Sequence, residues 1–418
     1  MIAGVWAENC FAFAHKVEFS LEADMRSRKL ASNVQTNGRF HILKSAGIYG
    51  PNNSGKTCLV RCILAIKQIL LHEPVMISAN FFTNDSVCKL GVSFVIDGRK
   101  FRYEVSYDAR NVAYPYEKFS EVHEDQYGNE KEEVWILKDV AHQTYTSEDG
   151  RLSEMMPVMS QNNILIYLID SARFPKLAEM KQVLVSFARS IDIVDMNTIP
   201  VQKTVQLMKN ENDLQKKVVD FIKHADVYMD DFKYVPLERL DIPKGTDLSK
   251  VPANLVDQLS LVSVYKSHAV PSMLFDSMGT RKIAALASYI IEALEEGRVL
   301  VVDELDSSIH FKLTRAIVAM FNNELNTNAQ IIFTVHDINL MDCKRLLRKE
   351  QIWFVHKDEG GVYLYSLAEF TARDGVRDTS DVMEKYRRGA LGALPDPDLI
   401  QSLLEMHKPE NDNKGEKA

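Results

Sequence analysis

Apolar residues in this chain fall into three kinds of run, each predicting a different element. Short solid runs read as buried strands: "FHILKSAGIYG" ending at Gly50, "RVLVVDE" from Arg298, "AQIIFTVHD" from Ala329 and "QIWFVHKD" from Gln351. Runs spaced by three and four residues read as helices. "TCLVRCILAIKQILL", Thr57 to Leu71, is apolar on nearly every face, as a buried helix is. Ile283, Leu286, Ile290 and Leu294 recur at helical spacing, so a helix begins near Thr280, and another is expected from about His310. Alternating runs read as half-buried strands. "CKLGVSFVIDGRKFRYEVSYD", from Cys88, alternates on both sides of Asp97–Gly98 and predicts a β-hairpin. "EVWILKDV" around Trp135 and "LVSVYKS" at Leu261 predict further strands.

From about Ile164 to Lys223 the pattern is helical, carried by "LAEMKQVLVSFARSIDIVDM" and "ENDLQKKVVDFIKHADVYM". A looser segment rich in Pro, Asp and Lys runs from about Leu237 to Val256, and the last dozen residues, "HKPENDNKGEKA", read as a frayed tail. Strands that alternate with helices after Thr280 imply a parallel sheet covered on both faces. The expected class is α/β: a mostly parallel sheet, an N-terminal antiparallel β element and a helical insertion. The expected divisions are 1–115, an insertion over 116–260 that is mainly helical from about 164, a second part of the parallel unit over 261–400, and a polar tail over 401–418.

Composition narrows this picture. With 418 residues, 46% hydrophobic and 26% charged, the chain resembles a soluble globular protein long enough for two or three domains. Apolar runs such as "ILIYLI" from Ile164 are far short of the ~20 residues a bilayer requires, so no membrane association is expected. The N-terminus lacks the basic segment of a secretory signal. Five cysteines without framework spacing suggest reduced thiols and a cytoplasmic location. Cys58 and Cys62 lie one helical turn apart and are read as helix packing, because a metal site needs more ligands than that pair supplies. A net charge of −8 argues against a surface broadly dedicated to nucleic acid, and the basic cluster "KYRRG" from Lys385 is read as a solvated face.

Four segments carry chemistry. Gly50 to Thr57, "GPNNSGKT", fits the G-x-x-x-x-G-K-[ST] pattern between a strand and a helix. Glycines let backbone N–H groups turn toward a phosphate, Lys56 reaches the terminal phosphates, the Thr57 hydroxyl ligates Mg²⁺, and the helix N-terminus faces the anion. Pro51, Asn52, Asn53, Ser54 and Cys58 complete the expected nucleotide-contacting run. In "RVLVVDELDSSIH" an apolar strand delivers two adjacent carboxylates. Asp303 is placed to hold Mg²⁺, and Glu304 to orient and deprotonate a water. His336 ends another apolar strand, and parallel strands of one sheet bring their C-terminal edges together, so it is expected near the γ-phosphate. In "FDSMGTRKIAALASYIIEAL", Ser277 and Gly279 precede a helix; a plain N-cap by Ser277 or Thr280 is the alternative, but with one helix between them and the carboxylate strand they are read as an anion site.

This order of motifs resembles the ABC-type ATPases of the SMC and RecF branch. "IYGPNNSGKT", "FDSMGT", "VVDELDSSIH", "FTVHD" and the late "QIWFVHKD…YRRGALGALP" stretch look most like the AAA-family ATPases of bacterial abortive-infection and other antiphage systems, related to the overcoming-lysogenization-defect nucleases. The likeness covers about residues 1–110 and 260–395. It implies a P-loop ABC-type ATPase head using ATP and Mg²⁺, with Asp306 in the position of the family's D-loop. It also implies head-to-tail pairing into a homodimer or higher homo-oligomer. Lys56, Thr57, Asp303, Glu304 and His336 of one copy would then face Ser277 and Gly279 of another across ATP. Departures are the short "SMGT" signature, the lack of a recognisable Q-loop glutamine, and the lack of an acidic nuclease cluster. The resemblance therefore implies a separate effector, such as the Toprim-type nuclease that works with the ATPase of the phage anti-restriction-induced system, and a nucleic-acid or phage-protein trigger. The competing expectation is a DNA repair or chromosome-maintenance ATPase acting directly on DNA.

Overall fold

The computed structural model describes residues 1–124, 129–159, 161–168, 172–210, 212–225, 228–239, 252–266, 268–377, 380–394 and 399–406. The tail 407–418 and the centre of the loose segment, 240–251, lie outside the described residues.

Two sheets organise the chain. The first has six strands in the order Ile191–Asp195, Val299–Asp303, Gln330–Thr334, Ser45–Tyr49, Ile352–Asp358, Gly361–Ser366. The first five are parallel and the last is an antiparallel edge. The solid apolar runs follow from this, since both faces are covered. Val299 and Val301 point into a core shared with Leu59, Ile63 and Ile66 of the helix Lys56–Leu71. Leu300 and Val302 point into a second core with Leu286 and Ile290 of the helix Met278–Glu296 and with Ile317 and Phe321 of the helix Phe311–Phe321. The period of two along one strand thus feeds two opposite cores.

The second sheet is antiparallel, with strands in the order Thr144–Ser147, Glu130–Asp139, Ala113–Glu124, Arg99–Asp108, Val87–Ile96, Ile2–Glu8, Val17–Ser20. Its hairpin turns at Asp97 and Gly98, both at positive φ (50° and 75°), which is the two-residue geometry expected of Asp-Gly. Its inner face packs on the Lys56–Leu71 helix through Val5, Leu90 and Phe94. Phe94 also stacks on Phe187 of the helix Pro175–Arg189 at 3.9 Å between ring centroids. Gln330 ties the two sheets: its amide donates to Ile2 O and Leu43 O, both at 2.9 Å, and its oxygen accepts from Ile2 N at 2.8 Å.

Between the strands Ile191–Asp195 and Val299–Asp303 of the first sheet, the chain forms a smaller unit. Helices Gln202–Lys209 and Asp213–His224 and the three-stranded sheet Asp231–Tyr234, Leu261–Tyr265, His268–Pro271 pack on the outer side of the Met278–Glu296 helix through Val205, Val218, Phe232, Ala284 and Ile291.

Three readings from sequence need correction. The helical reading of "SIDIVDM" is wrong: Ile191–Asp195 is a strand, paired parallel to Val299–Asp303. Its Ile-Asp-Ile-Val composition favours a pleated surface over a helix, where β-branched side chains lose χ1 freedom. The line drawn at 115 falls inside the strand Ala113–Glu124, because the antiparallel sheet continues to Ser147. The loose stretch ends in a helix, Ala253–Leu259, rather than running loose to Val256.

Candidate functional site

The C-terminal ends of the parallel strands meet at one edge of the six-stranded sheet. There Asp195 is in register with Asp303, Val302 with Phe333, and Thr334 with Ile48. The phosphate loop, the two carboxylates and His336 therefore leave the sheet side by side.

The loop from Gly50 to Gly55 links the strand Ser45–Tyr49 to the helix Lys56–Leu71. Gly50 has no room for a side chain, since a Cβ there would stand 2.3 Å from Val355 O and 2.9 Å from Ser54 Oγ. Gly55 is the N-cap with φ 114° and no side-chain cap, so the first N–H groups of the helix remain open to an anion. Asn52 and Asn53 are exposed at the tip, Pro51 and Thr57 are half-buried, and Ser54 is buried with its Oγ lacking a hydrogen-bond partner. Cys58 is half-buried on the first helical turn, while Cys62 is fully buried in the core with Cys10 and Cys88, as helix packing requires.

Lys56 is only 7% exposed, and its ammonium donates to Gly50 O at 2.8 Å and Pro51 O at 2.9 Å. Burial pushes its pKa down, and the nearby Asp303, Glu304 and Asp306 pull it back up without cancelling that effect. A cation is thus stored beneath the loop, facing three carboxylates.

Asp303 is buried, and its Oδ1 accepts from Thr334 Oγ1 at 2.5 Å. The same hydroxyl accepts from the Glu304 N–H at 2.8 Å. Glu304 adopts φ 56°, a left-handed conformation uncommon for a residue with a side chain, which turns the chain sharply off the strand. Asp306 accepts from the backbone N–H of His336 (2.9 Å) and of Asp337 (2.8 Å), tying the carboxylate loop to the next strand end. The His336 ring is exposed.

Ser277 caps the helix Met278–Glu296, its Oγ accepting from Thr280 N at 3.1 Å. Ser277 thus caps its helix and is also exposed. Among the described residues, no hydrogen bond joins Ser277 or Gly279 to the phosphate loop of the same chain. A Cβ on Gly279 would stand 2.6 Å from Ser308 O, so glycine is needed for the helix to approach the carboxylate loop. Leu274, Phe275 and Met278 surround Ser277 as exposed apolar side chains.

Two residues were not legible from sequence. Asn197, just past the overlooked strand, donates to Glu304 Oε2 at 2.8 Å. Asp276, directly before Ser277, accepts from the hydroxyls of Ser263 (2.5 Å), Ser272 (2.6 Å) and Tyr265 (2.7 Å). The only sequence signal for Asn197 is a β-branched run ending in Asp, the same shape as the run ending in Asp303.

The donor set suits a nucleoside triphosphate with a divalent cation. Gly50 leaves a cradle that a Cβ would fill, and the buried Lys56 ammonium donates to the loop carbonyls of Gly50 and Pro51. Thr57 and Asp303 carry the hard oxygen donors that Mg²⁺ takes. Among the described residues, no group of three or more His, Cys, Asp or Glu could hold a metal ion.

Sheet order, phosphate loop and carboxylate pair together are those of a P-loop AAA-type domain. A family model described as "AAA domain, putative AbiEii toxin, Type IV TA system" matches residues 45–342, and the chain belongs to that family. No curated protein matches the chain. Among solved structures the chain is similar to the SMC head domain from Thermotoga maritima, at 11% identity and TM-score 0.41 over 87% of this chain and 98% of that one. It is also similar to an Smc head bound to the C-terminal winged-helix domain of ScpA, at 10% identity and TM-score 0.46 over 90% and 99%. A Pyrococcus furiosus structure, an Smc head with an extended coiled coil bound to the C-terminal domain of ScpA, matches at 11% and 0.40 over 92% and 99%.

Proposed function

We propose that the chain binds ATP with Mg²⁺, hydrolyses it between two copies, and uses that cycle to gate a separate toxic effector in antiphage defence. The observation that carries this reading is the convergence of a buried Lys56, an open loop and a carboxylate pair at one sheet edge.

Each residue has a task. Loop N–H groups and Lys56 bind the β- and γ-phosphates. Thr57 and Asp303 hold the cation, which when bound neutralises phosphate charge. Glu304 accepts the proton of the attacking water, and His336 contacts the γ-phosphate from the neighbouring strand. Lys56, Glu304 and His336 are the catalytic group. Ser277 and Gly279 contribute from the other copy, because Ser277 is exposed on a helix N-terminus ringed by Leu274, Phe275 and Met278. Such an apolar rim supports burial against a partner of the same kind. Asp306 follows the carboxylates into that interface.

The defence role is supported by the family description, which names a toxin system. A nuclease partner and a nucleic-acid or phage-protein trigger complete the reading. In the described residues no helix is long and apolar enough to cross a membrane. The test is copurification of the full chain from native cells. A co-eluting nuclease supports the reading. Binding to bare DNA that weakens steeply with salt, with no protein partner, would instead favour a RecF- or SMC-like repair ATPase.

A further inference from the structure

The loop after the carboxylate pair, residues 304–310, is held from three sides, and two of its residues, Glu304 (φ 56°) and Ser308 (φ 64°), adopt left-handed backbone conformations. Asp306 holds it to the backbone of His336 and Asp337. Lys282, on the second turn of the Ser277-capped helix, is 7% exposed and donates to Ser307 Oγ at 3.0 Å, Ser308 Oγ at 3.3 Å and Ser307 O at 3.4 Å. Ser307 Oγ in turn donates to Asn197 Oδ1 at 3.0 Å, and Asn197 Nδ2 donates to Glu304 Oε2 at 2.8 Å. Asn197 is fixed by its own turn, its N–H donating to Asp195 Oδ1 at 2.8 Å.

The polarity along this path is consistent. The Lys282 ammonium can only donate, so the Ser307 hydroxyl accepts from it and passes its own proton on to the Asn197 oxygen. That fixes the flip of the Asn197 amide, because its oxygen faces Ser307 and its NH₂ faces the carboxylate. Each bond polarises the next. Three separate elements meet in the path: the Ser277-capped helix, the carboxylate loop and the turn after the strand Ile191–Asp195.

We infer that Asn197 is a positioning residue for Glu304, set by Lys282 through Ser307, so that the attitude of the Ser277-capped helix determines where the Glu304 carboxylate points. The inference rests on the reading of Glu304 as the base. It gives the smaller unit, from Gln202 to Pro271, a direct line to the reaction. That unit packs on the Met278–Glu296 helix, and Asn197 stands at its entrance. A partner that rocks this helix would move Lys282 and release or seat the carboxylate without touching the phosphate loop.

The test is steady-state ATP hydrolysis and fluorescent-nucleotide binding by the full chain. Glu304→Gln is measured first, and loss of turnover with nucleotide binding retained establishes the base. Asn197→Ala is then expected to lower kcat about tenfold, the worth of a hydrogen bond to a charged group, with KM and nucleotide affinity within about twofold of wild type. Asn197→Asp keeps the shape but loses the donor and sets a carboxylate against Glu304, so it should lose at least as much as Asn197→Ala. A merely space-filling role would spare it. Ser307→Ala should lower kcat in the same direction. In the Glu304→Gln background Asn197→Ala should cost nothing further. Wild-type turnover by Asn197→Asp, or losses from Asn197→Ala and Glu304→Gln that multiply, would overturn the relay while leaving the ATPase reading intact. A Glu304→Gln protein with full turnover would sink both.

Discussion

Thr334 and Asp303 share a hydrogen bond of 2.5 Å, and the same Thr334 hydroxyl accepts the Glu304 N–H at 2.8 Å. One buried side chain on the neighbouring strand thus orients the Asp303 carboxylate and pins the left-handed turn that carries Glu304. Thr334→Val keeps the volume and removes both interactions. It should cost about 1–3 kcal/mol of stability, because Asp303 and the Glu304 N–H are left without their partner. Turnover should fall with it. Denaturant unfolding and Mg²⁺-dependent hydrolysis check this, and a Thr334→Ser protein should recover most of both.

Lys56 presents the opposite case, a charge whose burial depresses its own pKa. Lys56→Met removes the buried ammonium from the loop carbonyls of Gly50 and Pro51. Stability of the nucleotide-free protein should change by no more than about 1 kcal/mol, since a pKa held down by burial means that the folded state disfavours the charge being removed. Nucleotide affinity should nevertheless drop about a hundredfold or more, because charge-assisted contacts to phosphate are lost. Thermal melts with and without ATP separate the two effects.

Much of this was legible in the chain. The phosphate loop and carboxylate pair are local patterns, and solid apolar runs name the strands that carry them. The strand Ile191–Asp195 was not legible, because five residues between two helices are too few to break a helical period. Asn197 was missed for a different reason. Its partner Glu304 is 107 residues away, and only the parallel pairing of Asp195 with Asp303 brings them together. The second sheet was half legible: the hairpin at Asp97–Gly98 announces itself, but its extension to Ser147 depends on pairing that no short-range signal encodes.

That overlooked strand also has a pH signature. Burial pushes the Asp192 carboxyl up, but hydrogen bonds and charge from Arg298 and Lys203 outweigh it and hold the carboxyl below its ordinary range. A depressed folded value stabilises the protein fully above the unfolded value near 4 and loses that contribution as pH falls through the folded value. Asp192→Asn should therefore flatten the acid limb of a stability-versus-pH curve below about pH 4, while lowering stability at pH 7. Urea unfolding midpoints across that range read both effects.

The central claim is that ATP is held between the loop of one copy and the Ser277 helix of another. Sedimentation of Glu304→Gln protein with ATP and Mg²⁺ tests it most directly, run beside Glu304→Gln/Ser277→Arg. The account predicts that the first forms a dimer or larger assembly only with ATP, and that the second binds nucleotide but stays monomeric. A Glu304→Gln protein saturated with ATP that remains a monomer, or a Ser277→Arg variant that assembles as well as its parent, would contradict it.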